Sequence, residues 1–262
     1  MPGPPDAATA AAFARLYDLD LAVDPGDLDL YLALATRADG PILELGVGTG
    51  RIAVPLALAG HRVTGVDSDP AMLARATERA TDEGVAEQLL ELVEADMTDV
   101  RLPAGPTFRL AFIALNSIMV LGTRTAQRAA VQTLAEHLAP GGIAVLDAWL
   151  PDADDLARYD GRVILEWPRT DPFTGRVVTK AGSAQYDSAT ATVSLTTVFE
   201  EGPQGGAAVR WVRTERLRLV TADELTGYVE EAGLVVELVA GGYDLAPLAP
   251  GAERVVLVAT KA

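Results

Sequence analysis

The stretch LELGVGTGRIAVPLA, Leu43 to Ala57, decides the fold. It opens as an apolar strand, closes as an apolar helix, and sets Gly46, Gly48 and Gly50 at alternate positions between them. Ordering glycine costs more backbone entropy than ordering any other residue, so three alternating glycines imply a turn that a ligand approaches closely. A dinucleotide fingerprint needs glycine at relative positions one, three and six. Counted from Gly46, position six is Arg51 and the third glycine falls at Gly50. No Gly-Lys-Ser/Thr ending follows, which excludes the Walker phosphate loop. Glu44 argues in the same direction, because a carboxylate repels phosphate and suits a ligand with an ammonium group and a positive sulfur.

Strands and helices alternate outward from this turn. PILELG, RVTGVD, LLELVEAD, FRLAFIAL and IAVLDAWL read as five apolar strands, as in a parallel sheet covered on both faces. Between them lie the helices RIAVPLALAG, DPAMLARATERA and TRTAQRAAVQTLAEHLAPGG, the last closed by a Pro-Gly-Gly turn. This order predicts a doubly wound α/β sheet. Upstream, a mobile Pro- and Ala-rich start of ten residues precedes a helix from Ala8 to Tyr17. A second helix spans Asp24 to Ala38, with Asp24 as N-cap and Pro25 at its first position.

The pattern changes after Pro151. RVILEW, RVVTKAGSAQYD, ATVSLTTVFEE and AAVRWVRTERLRLV are β-rich, with turn signals at Asp171-Pro172, Asp187-Ser188 and Gly202-Pro203 with Gly205-Gly206. They predict an antiparallel insert. The helix TADELTGYVEEAG follows, with Thr221 and Glu224 as a capping box, then two strands, LVVELVAGG and ERVVLVATK. Three parts result: helices and α/β core over 1–150, β insert over 151–220, and completion of the core sheet over 221–262.

Composition bounds the chemistry. The 262 residues carry 37 acids against 21 lysines and arginines, a formal charge of −16, which disfavours sequence-independent nucleic-acid binding. The arginine-rich RWVRTERLR, Arg210 to Arg218, alternates like the polar face of a strand. Without cysteine there is no disulfide, thiol nucleophile or zinc–thiolate site. No signal peptide or apolar run of membrane-spanning length is read, so the expected compartment is the cytoplasm.

Two more acids fall at successive strand ends. Asp67 ends the second strand, where an acid can accept both hydroxyls of a ribose, and Asp96 follows the third, where an adenine amino group could lie. LELGVGTGR, VTGVDSDPAML, VEADMTDV and LAPGGIAVLD resemble, in order and spacing, the motifs of class I S-adenosylmethionine-dependent methyltransferases. FIALNSIMVL resembles the family's fourth-strand motif, and LYDLDL its tyrosine-bearing cover segment. The carboxy-terminal half is similar to a small-molecule subgroup that includes sugar N-methyltransferases of antibiotic pathways.

The resemblance implies a seven-stranded Rossmann-like sheet with its last strand antiparallel and a small antiparallel layer roofing the site. It implies S-adenosylmethionine as cofactor and S-adenosylhomocysteine as product. Glu44 and the loop of Gly46, Gly48 and Gly50 would hold the methionine part, although many members carry Asp where Glu44 stands. Asp67 would bind the ribose, Asp96 and Met97 would frame the adenine, Asn116 and Ser117 would line the methyl donor, and Tyr17 would cover it. Arg51, Ser68 and Met72 are further expected cofactor contacts.

Catalytic residues are less legible. His61 lies at the wrong end of the sheet and His137 reads as structural, which disfavours a histidine base. No metal site is expected. Asp147 and Tyr243 are the candidates for chemistry, and Trp149, Tyr243 and Asp244 for the acceptor wall; Trp167, Arg169, Arg176 and Tyr186 of the insert cannot be ranked. The expected reaction is methylation of a nitrogen or oxygen of a small molecule, mainly by alignment. A cyclase or pericyclase on the same fold, or a non-catalytic cofactor-binding protein, are the alternatives. The insert's strand edges could pair in a homodimer.

Overall fold

The computed structural model describes residues 6–23, 25–103, 107–202 and 207–262. Five strands form in the first part: β1 (Ile42–Leu45), β2 (Val63–Asp67), β3 (Leu90–Glu94), β4 (Phe108–Ile113) and β5 (Leu138–Trp149). The insert supplies β6 (Asp160–Thr170), β7 (Val177–Asp187), β8 (Thr192–Gly202) and β9 (Val209–Arg218), and the end of the chain β10 (Leu234–Ala240) and β11 (Arg254–Lys261). The central sheet has the order β10-β11-β5-β4-β1-β2-β3. Its neighbours pair in parallel except β11, which runs antiparallel to both β5 and β10. Side chains alternate across it: Leu43, Leu45, Ala111 and Ile113 enter one apolar layer, and Ile42, Leu110, Phe112 and Val145 the other. The chain winds outward from β1 to β3 and then crosses back to β4. The carboxyl ends of β1 and β4 therefore flank the switch point where such sheets bind ligands.

Eight helices cover the described sheet: α1 (Ala7–Asp20), α2 (Leu28–Ala38), α3 (Ala53–Leu58), α4 (Pro70–Asp82), α5 (Ser117–Val120), α6 (Arg124–His137), α7 (Ala153–Arg158) and α8 (Ala222–Glu231). Their starts follow local chemistry. Asp69 accepts the Ala71 amide ahead of Pro70, and Thr123 accepts that of Ala126. Thr221 and Glu224 form the expected capping box. Each such cap contributes about 1 kcal/mol. No described helix is long and apolar enough to cross a membrane.

Four local expectations need correction. Helix α1 starts at Ala7, inside the stretch read as mobile. Helix α2 starts at Leu28, so Pro25 is not its first residue, and Asp24 lies outside the described residues. Pro140-Gly141-Gly142 does not cap α6; it forms the bulged start of β5, with Gly141 at φ +72°. Helix α7, capped by Asp152 and Asp155, was not read from sequence.

Strands β6 to β9 make a separate antiparallel sheet in chain order. Residues 203–206, where a turn between β8 and β9 is expected from sequence, lie outside the described residues. This sheet grips α1: Val178, Phe199, Trp167 and Trp211 pack on Phe13, Leu16 and Leu19. Arg15 pairs with Asp171 and Glu201, Lys180 with Asp20, and the Trp167 indole donates to Asp20 at 3.0 Å. From the opposite side Arg75 and Arg79 of α4 pair with Asp18. Helix α1 is thus clamped between insert and core, which places Tyr17 over the glycine turn.

Candidate active site

The three glycines of the turn all have positive φ, +82° at Gly46, +55° at Gly48 and +76° at Gly50, which a side chain would strain. Their surroundings differ. A Cβ on Gly46 would stand 3.0 Å from Met97 Cε and 3.1 Å from Ser117 Cβ, so the ends of three strands converge there. One on Gly48 would meet only Tyr17 Cε1, at 4.0 Å. One on Gly50 would press on Val54 and Ala76, at 3.0 and 3.2 Å. Gly50 therefore has a packing reason of its own, the close approach of α3 to α4.

Asp67 ties the turn to β2. Its two oxygens accept the amides of Gly48 (2.8 Å) and Asp69 (2.9 Å), and each keeps room for a further donor such as a ribose hydroxyl. Burial pushes its carboxyl up, against the opposing pull of those amides. Asp96 is exposed beyond β3, with Oδ1 accepting the Thr98 amide and hydroxyl, both at 2.8 Å. Ser68, next to Asp67, is exposed, and Met72, in the first turn of α4, is buried. Past β4, Leu115 and Asn116 both adopt left-handed conformations, φ +47° and +68°, a strained pair for non-glycine residues. Asn116 Oδ1 accepts the Trp149 amide at 2.6 Å and holds the bend in place, with Ser117 next to it.

The strand and turn at the head of the site have two orphaned oxygens. Glu44 is only 3% exposed, and its Oε2 has no hydrogen-bond partner; the same holds for Thr49 Oγ1. Burial raises the Glu44 carboxyl well above its usual range. Tyr17 is pushed up to about 12, chiefly by burial, so it stays a protonated phenol and a donor at neutral pH. A cavity of about 300 Å³ lies alongside, lined in part by Tyr17, Thr49 and Arg51. Arg51 gives both guanidinium arms to the fully buried Asp27, each at 2.6 Å. It clamps the turn to the start of α2 while also lining that cavity. Neither Thr49 nor Asp27 was anticipated.

The two catalytic candidates fail on geometry. Asp147 is fully buried and accepts from Tyr31 OH (2.9 Å), the Leu115 amide (2.9 Å), Tyr243 OH (3.1 Å) and Arg254 (2.6 Å). Four donors saturate it, so it anchors β4, β5 and β11 rather than taking a proton. Tyr243 is occupied on Asp147, lies under the Arg254 guanidinium, and is raised by burial and by Asp147. It is therefore not a base. Asp244 is exposed and accepts the Ala246 amide at 3.1 Å, closing its own turn. Trp149, partly buried against Tyr159, is the acceptor-wall candidate that stays beside Asn116. His137 is structural, with Nδ1 2.7 Å from Thr133 O and Nε2 accepting the Leu102 amide. In the insert, Trp167 and Arg169 serve to hold α1.

The sequence profile of a methyltransferase domain matches residues 42–142, from the first residue of β1 into β5. The chain is an S-adenosylmethionine-dependent methyltransferase. The methyltransferase is 26% identical over 231 residues to the Streptomyces venezuelae dTDP-3-amino-3,4,6-trideoxy-alpha-D-glucopyranose N,N-dimethyltransferase, covering 74% of this chain and 94% of that one. It superimposes on the CcbJ methyltransferase of Streptomyces caelestis with a TM-score of 0.74 and 25% identity, over 100% of this chain and 93% of the other. An S-adenosylmethionine-dependent methyltransferase of Clostridium acetobutylicum shares the fold, with a TM-score of 0.79 at 17% identity over 95% and 98% of the two chains. The residues present fit the cofactor: the orphaned Glu44 oxygen suits its ammonium group, and the open sides of Asp67 its ribose diol.

Proposed function

We propose that this methyltransferase methylates a nitrogen of a small amine-bearing acceptor, an amino sugar or a related natural-product intermediate. The cofactor, when bound, supplies a methyl group already activated by its sulfonium. The protein's part is to bind, align and exclude water, which can lower a barrier by about 7–11 kcal/mol at best. One observation carries the choice of nitrogen. Of the groups around the switch point, Asp147 is saturated by donors, Tyr17, Tyr31 and Tyr243 are phenols kept protonated by burial, and the open valences of Glu44 and Asp67 are the ones this reading gives to the cofactor. A hydroxyl acceptor needs a base to take its proton in the transition state. A neutral amine attacks first and sheds its proton to solvent afterwards. The amino-sugar N,N-dimethyltransferase similar to this chain supports the same choice.

The test pairs an amino sugar nucleotide with its hydroxy analogue and follows S-adenosylhomocysteine and product by mass spectrometry. The amine should be methylated and the alcohol left unchanged. O-methylation, or acceptor turnover without S-adenosylhomocysteine, would overturn the proposal. In the same preparation Asp67→Ala should lose most of the thermal stabilisation by S-adenosylhomocysteine, which for wild type at 100 times Kd amounts to about 2.7 kcal/mol.

A second copy of the chain is the partner we propose for β6. This edge strand exposes Val163, Ile164 and Leu165. Antiparallel pairing about Ile164 would set Arg162 opposite Glu166 of the second copy, so the strand is charge-complementary to itself. Light scattering should give a dimer that Val163→Glu with Leu165→Glu converts to monomer; a wild-type monomer at micromolar concentration would reject the pairing.

A further inference from the structure

A second polar cleft lies outside the cofactor arc, where the start of α6 meets the far ends of β8 and β9. It holds about 510 Å³ and is lined by Gly122, Thr123, Arg124, Thr190, Thr192, Arg216 and Arg218. No carboxylate lines it, although the chain carries 37 acids. Its charges are unevenly answered. Arg124 and Arg218 share one partner, Glu224. Arg216 is exposed and makes no ion pair among the described residues; its contact is Nη2 to Thr192 Oγ1 at a long 3.4 Å. Asp187 is the next acid, near enough to feel Arg216, but it already accepts the Ala189 amide and the Thr190 hydroxyl. Three guanidinium groups therefore face two carboxylates, Glu224 and Asp187, whose oxygens are already taken up in other contacts.

The surrounding backbone adds donors without adding acids. The first turn of the 14-residue α6 has no acidic side chain to offset its positive end. Gly122 turns at φ +68° directly against β9, where a Cβ would stand 3.4 Å from the Arg216 carbonyl oxygen, so the helix start and the arginine are fixed relative to each other.

We infer that this cleft, built from Arg216, Arg124, the Thr123 hydroxyl and the start of α6, is a binding site for a phosphate-class oxyanion. Guanidinium groups bind such oxyanions through paired N–H donors. The Thr123 hydroxyl accepts the Ala126 amide and keeps its proton for a further oxygen, whereas those of Thr190 and Thr192 are spent on Asp187 and on each other. A carboxylate would leave several of these donors unused. The cleft opens one short helix beyond Ser117, about 6 Å of helical rise. It could therefore hold either the phosphate of an esterified ligand or a free ion. The site stands on its own residues and does not depend on the identity of the methyl acceptor.

The full chain, saturated with S-adenosylhomocysteine, is titrated calorimetrically with inorganic phosphate and with a nucleoside diphosphate. Saturable binding is expected for at least one probe, weakening with salt. Arg216→Glu should reduce affinity tenfold or more, and Arg216→Gln several-fold. Arg62→Glu, the same charge change at an exposed arginine of another loop, should leave it unchanged. Equal affinity for the two probes would identify a free ion as the ligand, and tenfold preference for the diphosphate an ester; both support the site. Absence of saturable binding, or equal losses in Arg216→Glu and Arg62→Glu, would overturn it.

Discussion

Asp147→Ala should destabilise the protein by about 3–5 kcal/mol, because removing one partner of a buried ion pair strands the other charge. Arg254 retains 19% side-chain exposure and can partly reach water, which favours the lower end. The fully buried Tyr31 hydroxyl would also lose its acceptor. At about 2–4 °C per kcal/mol for a chain of this size, the melting temperature should drop on the order of 10 °C. Asp147→Asn keeps part of the hydrogen bonding and should lose less. Scanning calorimetry, together with kcat and KM of the surviving folded fraction, separates the alternatives. A variant with wild-type stability and a collapsed kcat would restore Asp147 as a catalytic group and contradict the structural role assigned here.

Glu44→Gln should have effects of opposite sign with and without cofactor. In the free protein, burial raises the Glu44 carboxyl well above the ordinary 4.5. A group raised on folding contributes stability that is complete below its unfolded value, near 4.5, and lost as pH rises through the folded one. Glutamine cannot ionise, so the stability of the variant relative to wild type should improve as pH rises across that window. Binding reverses the preference, because the ligand's ammonium group draws Glu44 into its charged form. Wild type should therefore release a proton when S-adenosylhomocysteine binds within the window, seen as a buffer-dependent calorimetric heat. The variant should show no such release. Loss of a charge-assisted hydrogen bond worth about 1.5–3 kcal/mol should weaken binding roughly 10- to 100-fold. Equal affinities in the two proteins would remove Glu44 from the cofactor site.

The residues expected at the cofactor are the ones with local signals. Gly46 and Gly48 betray themselves through backbone conformations that only glycine adopts cheaply, and Glu44, Asp67 and Asp96 through their positions at strand ends. Gly50 carries the same local signature with a packing reason of its own, the contact between α3 and α4, and sequence cannot tell close packing from close ligand approach. The acceptor half was misread at Asp147 and Tyr243. Their hydroxyl, amide and guanidinium partners lie as far as 116 residues away, so saturation of the acid is invisible along the chain. The clamp of Arg51 on Asp27 is invisible for the same reason, since nothing local announces a pairing across 24 residues.

The amino-acid sequence by itself determined the alternation of apolar strands and amphipathic helices, the glycine turn, the Thr221–Glu224 capping box and the four-stranded insert. Each of these follows from side-chain period, backbone entropy or a hydrogen bond reaching three residues. Only the tertiary structure decided which polar groups still have open valences. Burial and pairing are properties of the assembled chain: they close Asp147 and Arg51 on their partners, leave one oxygen of Glu44 unanswered, and leave Arg216 facing a cleft without an acid.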